Sequence, residues 1–207
     1  MEDLNKTKKD KAEETPIDDT MGLKMSGHIL IRDKESGEEL VNKRNAIHYG
    51  NMANIIARAM TDKLGDYYIH FMGFGNGATS VDTAGKVIYK SPRVSESYES
   101  SGTLYSRTYQ KVVSNNTATD KIEVIPGPSY TDLKITCTLG YNEPSDADAF
   151  DTSTTNDGSY VFDELGLLSH ANDINDSILL THVIFHPVQK SKNREIEIVY
   201  TVRVQLN

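Results

Sequence analysis

His182 and His186 stand four residues apart in Thr181-His-Val-Ile-Phe-His186, a spacing that on a helix would bring two imidazoles onto one zinc ion. The run Ile178–Phe185 reads instead as a strand, and no glutamate lies between the two histidines to act as a general base. Even spacing keeps them on one sheet face, so the expectation is a pair of sheet-face histidines ahead of Pro187 rather than a metal centre. Gly73-Phe-Gly-Asn-Gly77 follows an apolar run, where a phosphate-cradling loop would begin. It lacks the Gly-x-Gly-x-x-Gly spacing, no Gly-Lys-Ser/Thr follows, and no helix signal comes after it. A tight turn using positive φ is predicted there. In the acidic loop 145–158, Asp146, Asp148 and Asp157 approximate the first, third and twelfth positions of a calcium loop. Phe150 and Asp151 occupy the places of a ligand and of the required glycine, so a solvated acidic loop is expected.

Hydrolytic chemistry finds no better footing. There is no Gly-x-Ser-x-Gly elbow, and Cys137 falls on the apolar face of its strand, as a small core residue would. Asp163 and Glu164 are adjacent, and strict alternation would send them to opposite sides of a strand, which excludes a facing carboxylate pair. Tyr67, Tyr68, Tyr105, Tyr109 and Tyr200 are expected to serve packing and contact surface. The expectation is therefore a non-enzymatic protein with no catalytic, cofactor-binding or metal-binding residues.

The elements that would position these residues are mainly strands. His28–Arg32 and Glu39–Asn42 flank a polar, glycine-containing turn and read as a hairpin. One helix is predicted over 46–64, capped by Asn45, with Ile47, Met52, Ile55, Ile56, Ala59, Met60 and Leu64 at three- and four-residue steps and Gly65 as its stop. Strands are predicted at 67–74, 104–113, 121–125, 132–139, 160–168 and 178–185. The clearest is the last, where Ile196, Ile198, Tyr200, Val202, Val204 and Leu206 share a face. Short strands separated by turn signals, with one early helix and no internal repeat, predict an antiparallel β-sandwich over residues 26–207. The polar stretches 76–103 and 143–158 are long enough to be functional or interfacial loops.

Composition narrows the class. With 207 residues, one domain plus an arm is expected. Thirty acidic against 22 basic residues give a net charge of −8, which argues against nucleic acid and against a polybasic membrane surface. No run approaches the roughly 18 apolar residues of a membrane span, and the charged N-terminus predicts no secretory leader. A single cysteine excludes an intrachain disulfide. Residues 1–25 form a separate, mixed-charge segment without aromatics, with five lysines against seven acidic residues up to Lys24. It cannot build a core of its own. Its isolated Leu4, Ile17, Met21, Leu23 and Met25 fit either a solvated tail or an N-terminal arm seated on a neighbouring subunit.

Several segments in this order resemble a known group: the helix 46–64, the turn Phe74-Gly-Asn-Gly77, Leu104-Tyr-Ser-Arg-Thr-Tyr109, Phe162-Asp-Glu-Leu-Gly-Leu167 and Leu179-Leu-Thr-His-Val-Ile-Phe-His-Pro-Val188. The stretch from Gly27-His-Ile-Leu-Ile-Arg-Asp33 through Val41-Asn-Lys-Arg-Asn-Ala-Ile-His48 carries most of the likeness. The pattern, over about 26–206, is similar to the N-terminal attachment domain of phage tail-collar fibres. It looks more closely like structural virion proteins of contractile-tailed marine and cyanobacterial bacteriophages. The resemblance implies a virion localisation, a homo-oligomer, and other virion structural proteins as partners. No shaft or receptor-binding tip follows in the sequence, which directs the expectation toward an assembly or attachment module of the tail, neck or baseplate. Capsid decoration, or a carbohydrate- or calcium-binding lectin-like module, are the alternatives.

Overall fold

The computed structural model describes residues 22–63, 65–94, 104–144, 159–171 and 177–206. Residues 1–21 of the arm expected over 1–25, and the acidic loop 145–158, lie outside the described residues; Leu23 and Met25, expected to belong to the arm, are instead in the first strand, paired with Leu206 and Val204. In chain order the elements are β1 (Leu23–Asp33), β2 (Glu39–Ile47), α1 (Tyr49–Ala59), β3 (Ile69–Gly75), β4 (Thr79–Val81), β5 (Val87–Tyr89), β6 (Arg107–Val112), β7 (Lys121–Pro126), β8 (Tyr130–Leu139), β9 (Ser159–Ser169), β10 (Leu179–Ser191) and β11 (Ile196–Leu206). Nine of the strands form one antiparallel sheet in the order β6-β3-β9-β10-β2-β1-β11-β8-β7, and β4 and β5 form a separate hairpin. The expected antiparallel sandwich with one early helix is the observed architecture.

The sheet folds over at β2. Its residues Glu39 to Asn45 pair with β1, whereas Ala46 and Ile47 pair with His182 and Thr181 of β10. A strand that changes partners in this way makes the corner of a sandwich. The two layers then face each other across a single core. Ile29, Ile31, Ile135, Cys137, Ile198 and Tyr200 come from one layer; Phe74, Phe162, Leu165 and Leu167 come from the other. The alternation predicted for the last strand is observed, with Ile196, Ile198, Tyr200 and Val202 all buried.

Two expectations change. The helix runs from Tyr49 to Ala59, not over 46–64: Ala46 and Ile47 are held in the sheet by β10, and Met60 caps the C-terminal end. His48 takes the cap instead of Asn45, its Nδ1 accepting from the Asn51 amide at 3.2 Å. Asn45 is left free of the cap and donates to the Tyr200 hydroxyl. The polar stretch after Gly75 is also not a plain loop: β4 and β5 pair from Thr79↔Tyr89 to Val81↔Val87, turning at Asp82 and at Gly85, whose φ is +80°.

Strands β9 and β10 are buried on both faces, with seven consecutive buried residues from Leu179 to Phe185. Their inner face meets the sandwich core. Their outer face carries a small second cluster of Leu104, Leu168 and Leu179, with Phe71 against it. The helix docks alongside through Asn51, whose side-chain amide donates to the Leu179 carbonyl at 2.7 Å.

Candidate functional site

The outer face of β9 and β10 brings together the ionisable residues that the sequence scatters. Between Ile184 and Val188 the pairing of β10 with β9 shifts register, so that Ile184 lies opposite Glu164 but Val188 opposite Phe162. Phe162 points into the core against Phe74 and Phe185. Asp163 and Glu164 both reach the segment Gly77–Thr79. This corrects the expectation that adjacent carboxylates diverge: the register shift breaks strict alternation at this point.

Glu164 and His182 have no solvent exposure. Glu164 Oε1 accepts from the Ser106 amide at 2.8 Å and the Gly77 amide at 3.3 Å. Its Oε2 accepts from the Tyr105 amide at 3.0 Å and from His182 Nε2 at 2.9 Å. The Arg93 amide donates to His182 Nδ1 at 2.9 Å, so that nitrogen carries no proton and Nε2 is the donor toward Glu164. The histidine is thereby fixed as one neutral tautomer. Asp163 Oδ1 accepts from the Ala78 amide at 3.1 Å, and Oδ2 from the Thr79 amide at 2.7 Å and the Thr79 hydroxyl.

Burial alone would raise the Glu164 carboxyl. The His182 hydrogen bond and the Ser106 and Tyr105 amides outweigh burial and hold it below the ordinary value of 4.5. A carboxylate offers about four lone-pair positions, and all of those on Glu164 are taken by protein donors. Chemically the cluster is a latch. It ties the β4–β5 flap and the segment 104–106 onto the sheet.

The glycine-rich segment belongs to the same latch. Gly73 and Gly75 lie in β3, and neither they nor Gly77 has positive φ, which corrects the predicted turn. Their role is close approach. A Cβ on Gly75 would stand 2.5 Å from both Glu164 Oε1 and the Ser106 carbonyl, and one on Gly77 would stand 2.6 Å from Ser106 Cβ. The flap is fastened from above as well. Lys90 Nζ donates to the Gly77 carbonyl at 2.6 Å and sits 4.4 Å from the Tyr105 ring centre, while the Tyr105 hydroxyl donates to the Ser91 carbonyl.

His186 does not join His182. It lies on the exposed surface 3.3 Å from the Tyr89 hydroxyl, and among the described residues no three His, Cys, Asp or Glu side chains gather as a metal site. Cys137 is fully buried in the core, where burial pushes its thiol well above the ordinary range. The tyrosines anchor through their hydroxyls: Tyr200 donates to Thr181 Oγ1 at 2.6 Å and Tyr109 to Glu143 Oε1 at 2.6 Å. Tyr68 stacks on His170, and Tyr67 lies under the Arg58 guanidinium.

Two further polar groups escaped the sequence reading. Lys111 bridges Glu143 at 2.9 Å and Asp120 at 3.4 Å at one end of the sandwich. His70 and His170 meet with ring centres 4.6 Å apart, His70 bonding Ser114 and His170 bonding Asp66. The available signal for the latch was one of context: Glu164 and His182 are polar interruptions in otherwise apolar runs, and a buried charge requires a partner. Comparison with protein-family models, curated proteins and solved structures gave no match to this chain.

Proposed function

We propose that this protein is a non-enzymatic structural component of a bacteriophage virion, an assembly or attachment module of the tail, neck or baseplate that works as a homo-oligomer among other virion proteins. The virion part of the proposal rests on the resemblance in the sequence; the observation that supports association with protein partners is an uncovered apolar end of the sandwich. Residues paired across antiparallel strands point to the same side, so the core-facing rows of β1, β11, β8 and β7 can be followed outward from the core. Gly27, Val202, Leu133 and Val124 form one row, and Met25, Val204 and Thr131 the next. Leu23 and Leu206 end the series. Along these rows burial gives way to exposure: Val124 is 65 % exposed, Leu206 56 % and Leu23 46 %. An apolar sheet face left open beside a concave surface lined by Gly127–Thr131, Val204 and Leu206 suits a protein partner.

The latch supports the same choice, since its buried charges hold the flap rather than face a cleft. Leu23, the first residue of β1, sits on the open face opposite Leu206.

Light-scattering mass of the full chain, beside the double variant Val124→Glu/Leu206→Glu and a form lacking residues 1–21, tests the proposal. A defined oligomer is expected for the full chain, with loss of mass in the double variant and weaker association without the arm. A full chain that stays monomeric and is missing from purified phage particles by mass spectrometry would overturn it.

A further inference from the structure

The outer face of the β2-β1-β11 layer carries a cleft that the assembly proposal does not use. It is lined by Lys24, Ser26, Gly27, His28, Arg44, Thr201 and Arg203, with a volume of about 440 Å³. The pairing explains why they meet. His28 lies opposite both Arg44 and Thr201, Ser26 opposite Arg203, and Lys24 opposite Gln205. Neighbouring strands are about 4.8 Å apart, so these side chains stand within reach of one small ligand.

Charge pairing on this face is uneven. Arg32 is paired with Glu197, Lys34 with Glu195, and Lys121 with Glu123. Arg203 gives both its Nε and Nη2 to Asp132, at 2.7 and 2.8 Å, and stacks on Tyr130. Lys24 and Arg44 differ: among the described residues, neither has a carboxylate within salt-bridge distance. Asp132 is the acid nearest in the register, and both its oxygens are taken by Arg203. Two cations therefore share a concave site with His28, which is oriented by Asn42 at 2.8 Å, and with the hydroxyls of Ser26 and Thr201. This occurs on a chain whose net charge is −8. Unneutralised cations grouped in a cleft raise the local concentration of anions.

We propose that this cleft binds the phosphate or sulfate group of a small sugar-sized ligand. Arg44 supplies a planar donor fork suited to a tetrahedral oxyanion, Lys24 supplies a second charge, and the hydroxyls complete the donor set. The volume exceeds what one inorganic ion fills and falls at the lower end of small-molecule sites. Apart from Gly27 every lining residue carries a polar group, and the aliphatic stems of the long side chains share the wall, a mixture that suits the body of a sugar. The proposal is independent of the assembly reading, which concerns the opposite face of the same layer.

Proton–nitrogen correlation spectra of the full chain, titrated separately with inorganic phosphate, glucose 6-phosphate, glucose 6-sulfate and glucose, test it. Shifts should centre on the amides of Ser26, Gly27, His28, Arg44 and Thr201. At least one sugar ester should bind with a dissociation constant of about 1 mM or tighter, ahead of inorganic phosphate, and glucose should give no response. The stronger of the two esters names the source of the oxyanion. Lys24→Gln/Arg44→Gln should weaken binding by about tenfold or more while resonances elsewhere stay in place. No shifts at about 20 mM ester, or the same shifts in the double variant, would overturn the proposal.

Discussion

The two layers of this sandwich treat their outer faces in opposite ways. On the β2-β1-β11-β8 layer the outer face is open, polar residues alternate with core residues, and charges pair across strands near water, as Arg32 does with Glu197. On the β3-β9-β10 layer the outer face is roofed by the flap and by residues 104–106. There the carboxylates of Asp163 and Glu164 are buried and held mainly by backbone amides. The contrast teaches that a charged side chain on a strand is defined by what covers it. Under a roof, a carboxylate becomes a fastener for loop backbone; in the open, the same chemistry leaves cations such as Lys24 and Arg44 available to a ligand.

The sharpest way to break the comparison is to remove the latch. Glu164→Ala strips the acceptor from four donors, one of them a buried histidine, and each buried donor left unpaired costs about 1–3 kcal/mol, which sums to several kcal/mol. Urea unfolding should show a loss of that order, and hydrogen exchange at Gly77, Tyr105 and Ser106 should accelerate. An unchanged midpoint with protected amides would mean that the flap is held by its apolar contacts alone. A smaller loss is expected from Gly75→Ala. Its Cβ would press on Glu164 Oε1 and on the Ser106 carbonyl, an overpacking cost of about 1–3 kcal/mol readable from the same unfolding curves.

Acidity should separate the regions next. Glu164 is held below 4.5 in the folded chain, so its contribution is complete above that value and is lost as pH falls through the lower folded value. His70 is also lowered, by burial first and then by His170, from an ordinary 6.5. Below 6.5 the unfolded chain takes up a proton that folded His70 refuses, so stability declines as pH falls from there. Thermal melts should therefore show one decline starting near 6.5 and another below 4.5. His70→Gln should remove the first and Glu164→Gln should reduce the second.

The same contrast explains what could be read in advance. β11 and β8 cover only one side of a layer, so their side chains alternate and the core rows of Ile196 to Val202 are plain in the sequence. β9 and β10 are buried on both faces, and alternation there carries no information about which face a residue takes. Asp163 and Glu164 were misread because a register shift, invisible in composition, turned both toward the flap. The glycines from Gly73 to Gly77 were legible as special but not as to why, because the carboxylate they make room for lies 87 residues from Gly77 along the chain. The helix start moved for a similar reason: Ala46 and Ile47 are claimed by β10, a partner more than 130 residues away in sequence.

The smallest expected effect closes the comparison from the open side. Arg32 pairs with Glu197 across β1 and β11, Nε to Oε2 at 2.7 Å, but its side chain is 46 % exposed. Water already solvates both groups well, and ordering two long side chains offsets much of the Coulomb gain, so Arg32→Ala should cost about 0–1 kcal/mol and fade further in salt. The informative quantity is its ratio to Glu164→Ala, measured under identical urea conditions. If the two variants cost the same, the roof over β9 and β10 does nothing to the energetics of charge, and the latch loses its physical basis. If the buried variant costs several times more, the covering flap is what converts an ordinary carboxylate into the fastening point of this fold.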